Sequence, residues 1–420
     1  MQLTATDKLL LNCLLPTEAS AARLRQLPLS ELDWSAALCR AEFHSIASLL
    51  RFNLAQSDSL NLLPEAEKES LRVTSQTWAA RHLAYVSEAA RLIAALKVAG
   101  ITAIPLKGAA LMLGGYYPQA GLRAALDMDL LVAPEKQQQA DEIIAALGYE
   151  DLPGRRSVPQ RQRLANELNH LWPRRGPSGL IVELHRRAFQ FTQAERDFTF
   201  AEVHSRAASA IVAGAELLLP APTDLAFHLV HHTLVDLQTT KAILRTIADL
   251  YFIFAAHPEA REAMIHQADE FGFGGAARLA NDLVALLAEV SENELQAAAN
   301  NDRFALILET ALTEETLPLA DAARLFEYLD FSRQPMAKLG NLTSLLFTSR
   351  QHLTELYGQT QQESVYWNYL RRPFDLLRKF DRAGFSPSNL LKVWKLRKLA
   401  RGNDEGRDGE TERQRDGEKT

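Results

Sequence analysis

Apolar residues recur every three or four positions through the first hundred residues of the chain. Trp34, Leu38, Cys39 and Phe43 keep that spacing, and a longer run passes through Trp78, Leu83, Tyr85, Ala89, Leu92 and Leu96. The period predicts amphipathic helices, the last of them long. Pro64 suits its first turn, where no backbone N–H is needed, and Gly100 suits its C-terminal cap. The texture then changes. Residues 101–106 (Ile-Thr-Ala-Ile-Pro-Leu) are short, apolar and rich in β-branched side chains, which predicts a strand. A short helix follows Gly108 as far as Leu113, Gly114-Gly115 breaks it, and residues 126–132 predict a second strand. Pro134 opens a helix with Ile143, Ile144 and Leu147 inward, ended by Gly148. Residues 168–172 and 180–184 read as two more strands around a loop holding Pro173, Gly176, Pro177 and Gly179. From about Phe198 the helical period returns and persists to about Leu399, with Pro222-Thr-Asp224 marking one helix start.

These elements predict an α+β fold, mostly helical overall. A small mixed-sheet α/β domain over residues 100–197 lies between an N-terminal helical region (1–99) and a C-terminal helical domain (198–401). Residues 402–420 carry no large apolar side chain, so a disordered charged tail is expected.

Composition changes this picture little. The 420 residues are 47% hydrophobic and 23% charged with a net charge of −6, ordinary values that give no global nucleic-acid or membrane signal. There is no transmembrane-length apolar run and no basic leader segment. Two cysteines, Cys13 and Cys39, lie among apolar neighbours. Buried free thiols in a reducing cytoplasm are the expectation.

The chemistry concentrates in Asp127-Met-Asp129. Side chains two apart on a strand share a face, so the two carboxylates converge while Met128 packs beneath them. The neighbours Leu126, Leu130, Leu131 and Val132 are all apolar, which a solvated turn rarely shows. Carboxylates held side by side repel, and a divalent cation between them makes the arrangement favourable. Glu183, in the apolar run Ile181-Val-Glu-Leu-His185, supplies a third acid and a candidate general base. Lys107 and Arg123 are candidate counter-charges for a triphosphate, and Gly108 lets the backbone approach a ligand closely. A glycosyltransferase using Asp-x-Asp would need a larger α/β unit ahead of the motif than the one strand and one short helix between Gly100 and Asp127.

Leu106-Lys-Gly108, Arg123, Asp127-Met-Asp129-Leu-Leu and Val182-Glu-Leu-His185 together resemble an uncharacterised bacterial nucleotidyltransferase-like family within the DNA polymerase β superfamily. Asp224-Leu225, His232 and Asp249-Leu250 extend the resemblance, which spans roughly residues 96–255. It implies attack of an acceptor on the α-phosphate of a nucleoside triphosphate, with release of pyrophosphate. It also implies Mg2+ (or Mn2+) held by Asp127, Asp129 and Glu183, and a cleft bordered by His185, His232 and Asp249. Two departures stand out. The usual Gly-Ser pair is Gly108-Ala109 here, and nineteen positions separate Gly108 from Asp127, a longer connection than the superfamily's. A nucleotide- or partner-binding member without catalysis is the alternative reading.

His228 and His232 stand four apart on a predicted helix, a spacing that can bind zinc, but no third ligand is evident. Residues 371–401 hold ten Lys/Arg against Asp375 and Asp381, with Phe374, Phe380, Phe385 and Trp394 among them. Such a stretch suits RNA or an anionic surface, or is a solvated helix face. The acceptor is not specified by these patterns.

Overall fold

A computed structural model describes residues 1–125, 127–152, 170–189, 198–235, 242–313 and 387–402, with 367, 369–371 and 374. Four helices open the chain: α1 (Ala5–Asn12), α2 (Glu18–Gln26), α3 (Trp34–Phe43) and α4 (Ala47–Gln56). Side chains cap three of them, Thr4 for α1, Thr17 for α2 and Asp33 for α3, each accepting from a backbone N–H of the first turn. The long helix α5 (Glu65–Val98) has 34 residues, so it extends about 50 Å. Its first half is largely exposed. From Tyr85 on, Ala89, Leu92, Ile93 and Leu96 are buried against the sheet. Gly100 then adopts φ +71°, the left-handed conformation that ends a helix with least cost in glycine.

The sheet contains β1 (Ala103–Pro105), β2 (Asp127–Val132), β3 (Glu150–Asp151), β4 (Arg174–Arg175) and β5 (Ile181–His185), in the order β1-β2-β5-β4-β3. The β2–β5 pair is parallel and the others are antiparallel, so the sheet is mixed as expected. Between β1 and β2 lies α6 (Lys107–Leu113); α7 (Gln137–Ala146) follows β2 after a 3-10 turn over Pro134–Lys136.

Strand periodicity separates the two faces. Met128, Leu130 and Val132 of β2 and Val182 and Leu184 of β5 pack into one core with the second half of α5 and with Ala140 and Ile144 of α7. Asp127, Asp129 and Leu131, with Ile181, Glu183 and His185, face the other way. Leu131 on that side belongs to a larger core shared by the first four helices and the helices beyond residue 220.

Those later helices are α8 (Phe200–Arg206), α9 (Pro222–Val230), α10 (Ala242–Ala256), α11 (Ala260–Glu270), α12 (Gly274–Glu289), α13 (Glu292–Ala299), α14 (Asp302–Leu312) and α15 (Pro387–Arg401). Several of them join the N-terminal helices to residues 287–299. The Met1 amino group donates to the Ala299 carbonyl (2.9 Å), Lys8 pairs with Glu292 (2.7 Å), and the buried Arg23 donates to the Leu287 carbonyl (2.6 Å) near the end of α12. A cation there complements the negative end of the helix dipole.

Three expectations need correction. The stretch after Phe198 is not wholly helical: β6 (Ala208–Val212) and β7 (Ala215–Leu219) form a hairpin. Ala213 (φ +47°) and Gly214 (φ +80°) make its two-residue turn, the geometry that matches strand twist. The pattern from 208 to 219 mixes Ala, Leu and Val, which serve either period, and the Ala-Gly turn is the signal that separates them. The strand expected over 168–172 is, among the described residues, a single bridge from His170 to His185, and the pairing moves to β4. Cys13 is buried but Cys39 is exposed; both are free thiols. Residues 372–373 and 375–386 of the basic stretch and all of 403–420 lie outside the described residues, and so does the tail expected there. No described helix is long and apolar enough to cross a membrane.

Candidate active site

The site forms where β2 and β5 run side by side. Asp127 is paired in register with Ile181, and Asp129 with Glu183. In-register partners of adjacent strands point to the same face, so Asp129 and Glu183 are neighbours there. Lys107 enters from the turn after β1. The Leu106 N–H donates to the Asp129 carbonyl (2.9 Å), which fixes that turn against β2. Lys107 itself takes φ +48°, a conformation costly for a side-chain-bearing residue, and its Nζ reaches Asp129 Oδ1 at 3.0 Å.

Asp129 Oδ1 accepts a second hydrogen bond, from His185 Nε2 at 2.7 Å. The same nitrogen lies 3.7 Å from Glu183 Oε2, and His170 Nε2 lies 3.8 Å from that oxygen on the other side. The two imidazole rings are 5.1 Å apart between centroids. His170 Nδ1 donates to the Leu171 carbonyl (2.8 Å).

Charge states follow from these contacts. Burial opposes ionisation of Asp129, but the Lys107 ammonium and the His185 hydrogen bond hold its carboxyl well below the usual range. Glu183 is likewise lowered, burial being outweighed by the attraction of the His185 and His170 imidazoles close to its carboxylate. Lys107 and His185 are raised in turn: burial works against each cation, and Asp129 more than restores it. Asp127 differs. It sits at the open end of β2 and is exposed as a residue, yet loss of water around its carboxyl, and then the Asp129 charge, raise its pKa. Its carbonyl accepts from the Tyr85 hydroxyl (2.9 Å).

Arg123 and Asp249 lie behind this group. Arg123 Nε donates to Asp249 Oδ1 (2.7 Å), which also accepts from the Tyr117 hydroxyl, and Arg123 Nη1 donates to the Ala124 carbonyl (2.6 Å). Both residues are buried. Gly108 makes room for them: a Cβ there would come within 3.3 Å of both Arg123 terminal nitrogens.

The helical side contributes histidines. His228 ends α9 almost fully buried, and its Nδ1 has no hydrogen-bond partner among the described residues. His232 falls in a π-helical turn over His231–Val235. Burial, and then the charge of Lys107, push both imidazoles well below their ordinary value. The helix changes from α to π between them, and among the described residues no metal-type cluster includes either histidine.

A family model described as an uncharacterised nucleotidyltransferase matches residues 30–289. The chain belongs to this family. Nucleotidyl transfer is therefore its general activity class, and the match contains the nine candidate site residues, Lys107, Gly108, Arg123, Asp127, Asp129, Glu183, His185, His232 and Asp249. No curated protein and no solved structure matches the chain.

The fold brings together Asp129, Glu183 and His185, whose ligand atoms all lie within 4.8 Å of one another. Donors around one ion at about 2.1 Å are spaced roughly 3 to 4 Å, so this group fits a divalent cation. Asp127 adds a carboxylate at the rim. Two residues escaped the sequence reading. His170 reaches Glu183 only through its bridge to His185, a pairing that no local pattern announces. Arg245 lies one turn before Asp249 on α10, among Arg123, Asp127 and Tyr117, and its Nε has no partner among the described residues. Burial, and then the Arg123 charge, lower its pKa to about 10. The four-residue spacing from Asp249 was its one sequence signal.

Proposed function

We propose that the chain is a metal-dependent nucleotidyltransferase that moves a nucleoside monophosphate from a nucleoside triphosphate to an acceptor, releasing pyrophosphate. The observation that carries this reading is the register of Asp129 with Glu183 on parallel strands, with Asp127 on the same face. Asp127, Asp129 and Glu183 would hold the divalent cation, Mg2+ or Mn2+. Bound there, such an ion neutralises phosphate charge and acidifies an acceptor hydroxyl.

The remaining roles belong to side chains. Glu183 is held ionised and takes the acceptor's proton. The acceptor oxygen forms its bond to the α-phosphorus as the bond from that phosphorus to the bridging oxygen breaks, and pyrophosphate leaves with the electron pair. Lys107, now on Asp129, can turn its ammonium to the triphosphate, and Arg245 offers a second cation beside Asp127. Arg123, tied to Asp249, holds the floor under Gly108. His185 fixes the orientation of Asp129.

One pair of observations favours a second reading, a member that binds nucleotide without transferring it. Ala109 stands where a serine hydroxyl would meet phosphate, and the Arg123 guanidinium is engaged by Asp249. Incubation with each labelled triphosphate, a divalent ion and cell extract separates the two. Pyrophosphate release with a labelled acceptor supports transfer. Metal-dependent nucleotide binding with no pyrophosphate supports the second reading.

A further inference from the structure

Glu183 Oε2 sits between two imidazole nitrogens, His185 Nε2 at 3.7 Å and His170 Nε2 at 3.8 Å. Both distances are too long for hydrogen bonds. They match the spacing of donors that share an ion: at about 2.1 Å from the metal, neighbouring donors of an octahedron lie about 3 Å apart and opposite ones about 4.2 Å.

The tautomer of His170 sharpens the point. Its Nδ1 contacts the Leu171 carbonyl at 2.8 Å, and a carbonyl can only accept. Nδ1 therefore carries a proton, and in the neutral ring Nε2 presents a lone pair toward Glu183. A lone pair facing an ionised carboxylate is repulsive, and a cation between them removes the repulsion. The same backbone contact is how metal-binding histidines are commonly oriented. His228, almost fully buried nearby with Nδ1 unpartnered among the described residues, leaves the surroundings rich in nitrogen donors.

We propose that His170 and His185 join Asp129 and Glu183 as ligands, so that the site selects a nitrogen-accepting divalent transition ion over Mg2+. The assignment rests on the proposed nucleotidyltransferase site in that the same acids serve both. Mg2+ demands oxygen donors and sheds water reluctantly, whereas imidazole strengthens binding of the transition series. His185 exchanges its hydrogen bond to Asp129 for the ion, and His170 turns in from Glu183.

The test uses the full chain stripped of metal and titrated with Mn2+ as probe, without nucleotide. Calorimetry gives the Mn2+ and Mg2+ affinities, and electron paramagnetic resonance reports nitrogen bound directly to Mn2+. The wild type should bind Mn2+ at least about tenfold more tightly than Mg2+ and show nitrogen hyperfine coupling. His170→Gln and His185→Gln should each weaken Mn2+ binding about tenfold or more, with a smaller effect on Mg2+. Equal affinities for the two ions, or a wild-type spectrum without nitrogen coupling, overturn the proposal. If His185→Gln does not fold, the wild-type spectrum and the half-buried His170→Gln decide the matter. Turnover is read separately. Nitrogen-coupled Mn2+ without any pyrophosphate release leaves this ligand set standing while the transfer reading fails. Release with Mg2+ alone and no nitrogen coupling does the reverse.

Discussion

Asp129 and Glu183 stand opposite one another in register on two parallel strands, although most of the α/β unit's sequence lies between them. The pairing places one deeply buried carboxylate beside one half-buried carboxylate on a single face. Lys107 and His185 neutralise the buried one from either side, at 3.0 and 2.7 Å.

Asp127 and Asp129 should respond differently to the same substitution. Asp127 stands at the strand mouth, where loss of water already disfavours its charge, so Asp127→Asn should leave the thermal midpoint close to that of the wild type. Asp129→Asn leaves Lys107 and His185 facing a neutral amide in a buried setting, at a cost of about 3 kcal/mol in metal-free protein. Urea unfolding of the two variants checks this. Equal stability of the two would contradict the electrostatic account of the Asp129 cluster.

Gly108→Ala tests the packing at the start of α6. The added methyl meets Arg123 Nη1 and Nη2 and the Ala125 side chain at 3.3 Å, so the Arg123–Asp249 pair must give way. A loss of about 1 to 2 kcal/mol is expected from overpacking. Chemical denaturation measures it. A neutral result would mean that the guanidinium is free to shift.

Arg245 carries a charge that its surroundings do not repay, since no partner for Nε is found among the described residues. Arg245→Met should therefore leave stability unchanged or raise it. It should also weaken binding of a non-hydrolysable triphosphate by about tenfold or more, because charge-assisted contacts to phosphate are strong. Calorimetry gives both the affinity and its metal dependence. Unaltered affinity would remove Arg245 from the nucleotide's path.

Stability of the metal-free protein should peak near neutrality. His228 is depressed by burial and then by Lys107. The unfolded imidazole, near pKa of about 6.5, gains a proton that the folded one refuses, so stability falls as pH drops below that value by about 1.4 kcal/mol per unit. His185 has the opposite sign. Burial lowers it, but Asp129 raises it further, so its contribution is complete below about pH 6.5 and is lost as pH rises through its folded value. Urea unfolding across this range should show both limbs, and His228→Leu should make the acid one shallower while His232, depressed in the same way, retains its share. An acid limb of unchanged slope in that variant contradicts the assignment.

The motif residues were legible because their signals are local. Alternation around Asp127 and Asp129 announced a strand with one acidic face, and the apolar run around Glu183 announced another. That the two strands are adjacent and in register was not written locally; it depends on the crossover through α7 and on burial of Met128 and Val182 in one core. His170 was invisible for the same reason. It joins the site through a single bridge to His185, and the chain around it offered only a generic apolar strand pattern. Arg123 read either as a counter-charge for phosphate or as the partner of a structural acid, and which acid it meets, Asp249 on a distant helix, was not written locally. The β6–β7 hairpin was hidden by alanine and leucine, which satisfy helical and strand periods alike.

The central claim is nucleotidyl transfer at Asp127, Asp129 and Glu183, and pyrophosphate release tests it most directly. Wild-type protein and Asp127→Asn, matched for thermal midpoint, are incubated with each nucleoside triphosphate, Mn2+ or Mg2+, and cell extract. The account predicts metal-dependent pyrophosphate release by the wild type and its loss, by a factor of about a hundred or more, in the variant. Release at the same rate by the two proteins would contradict it.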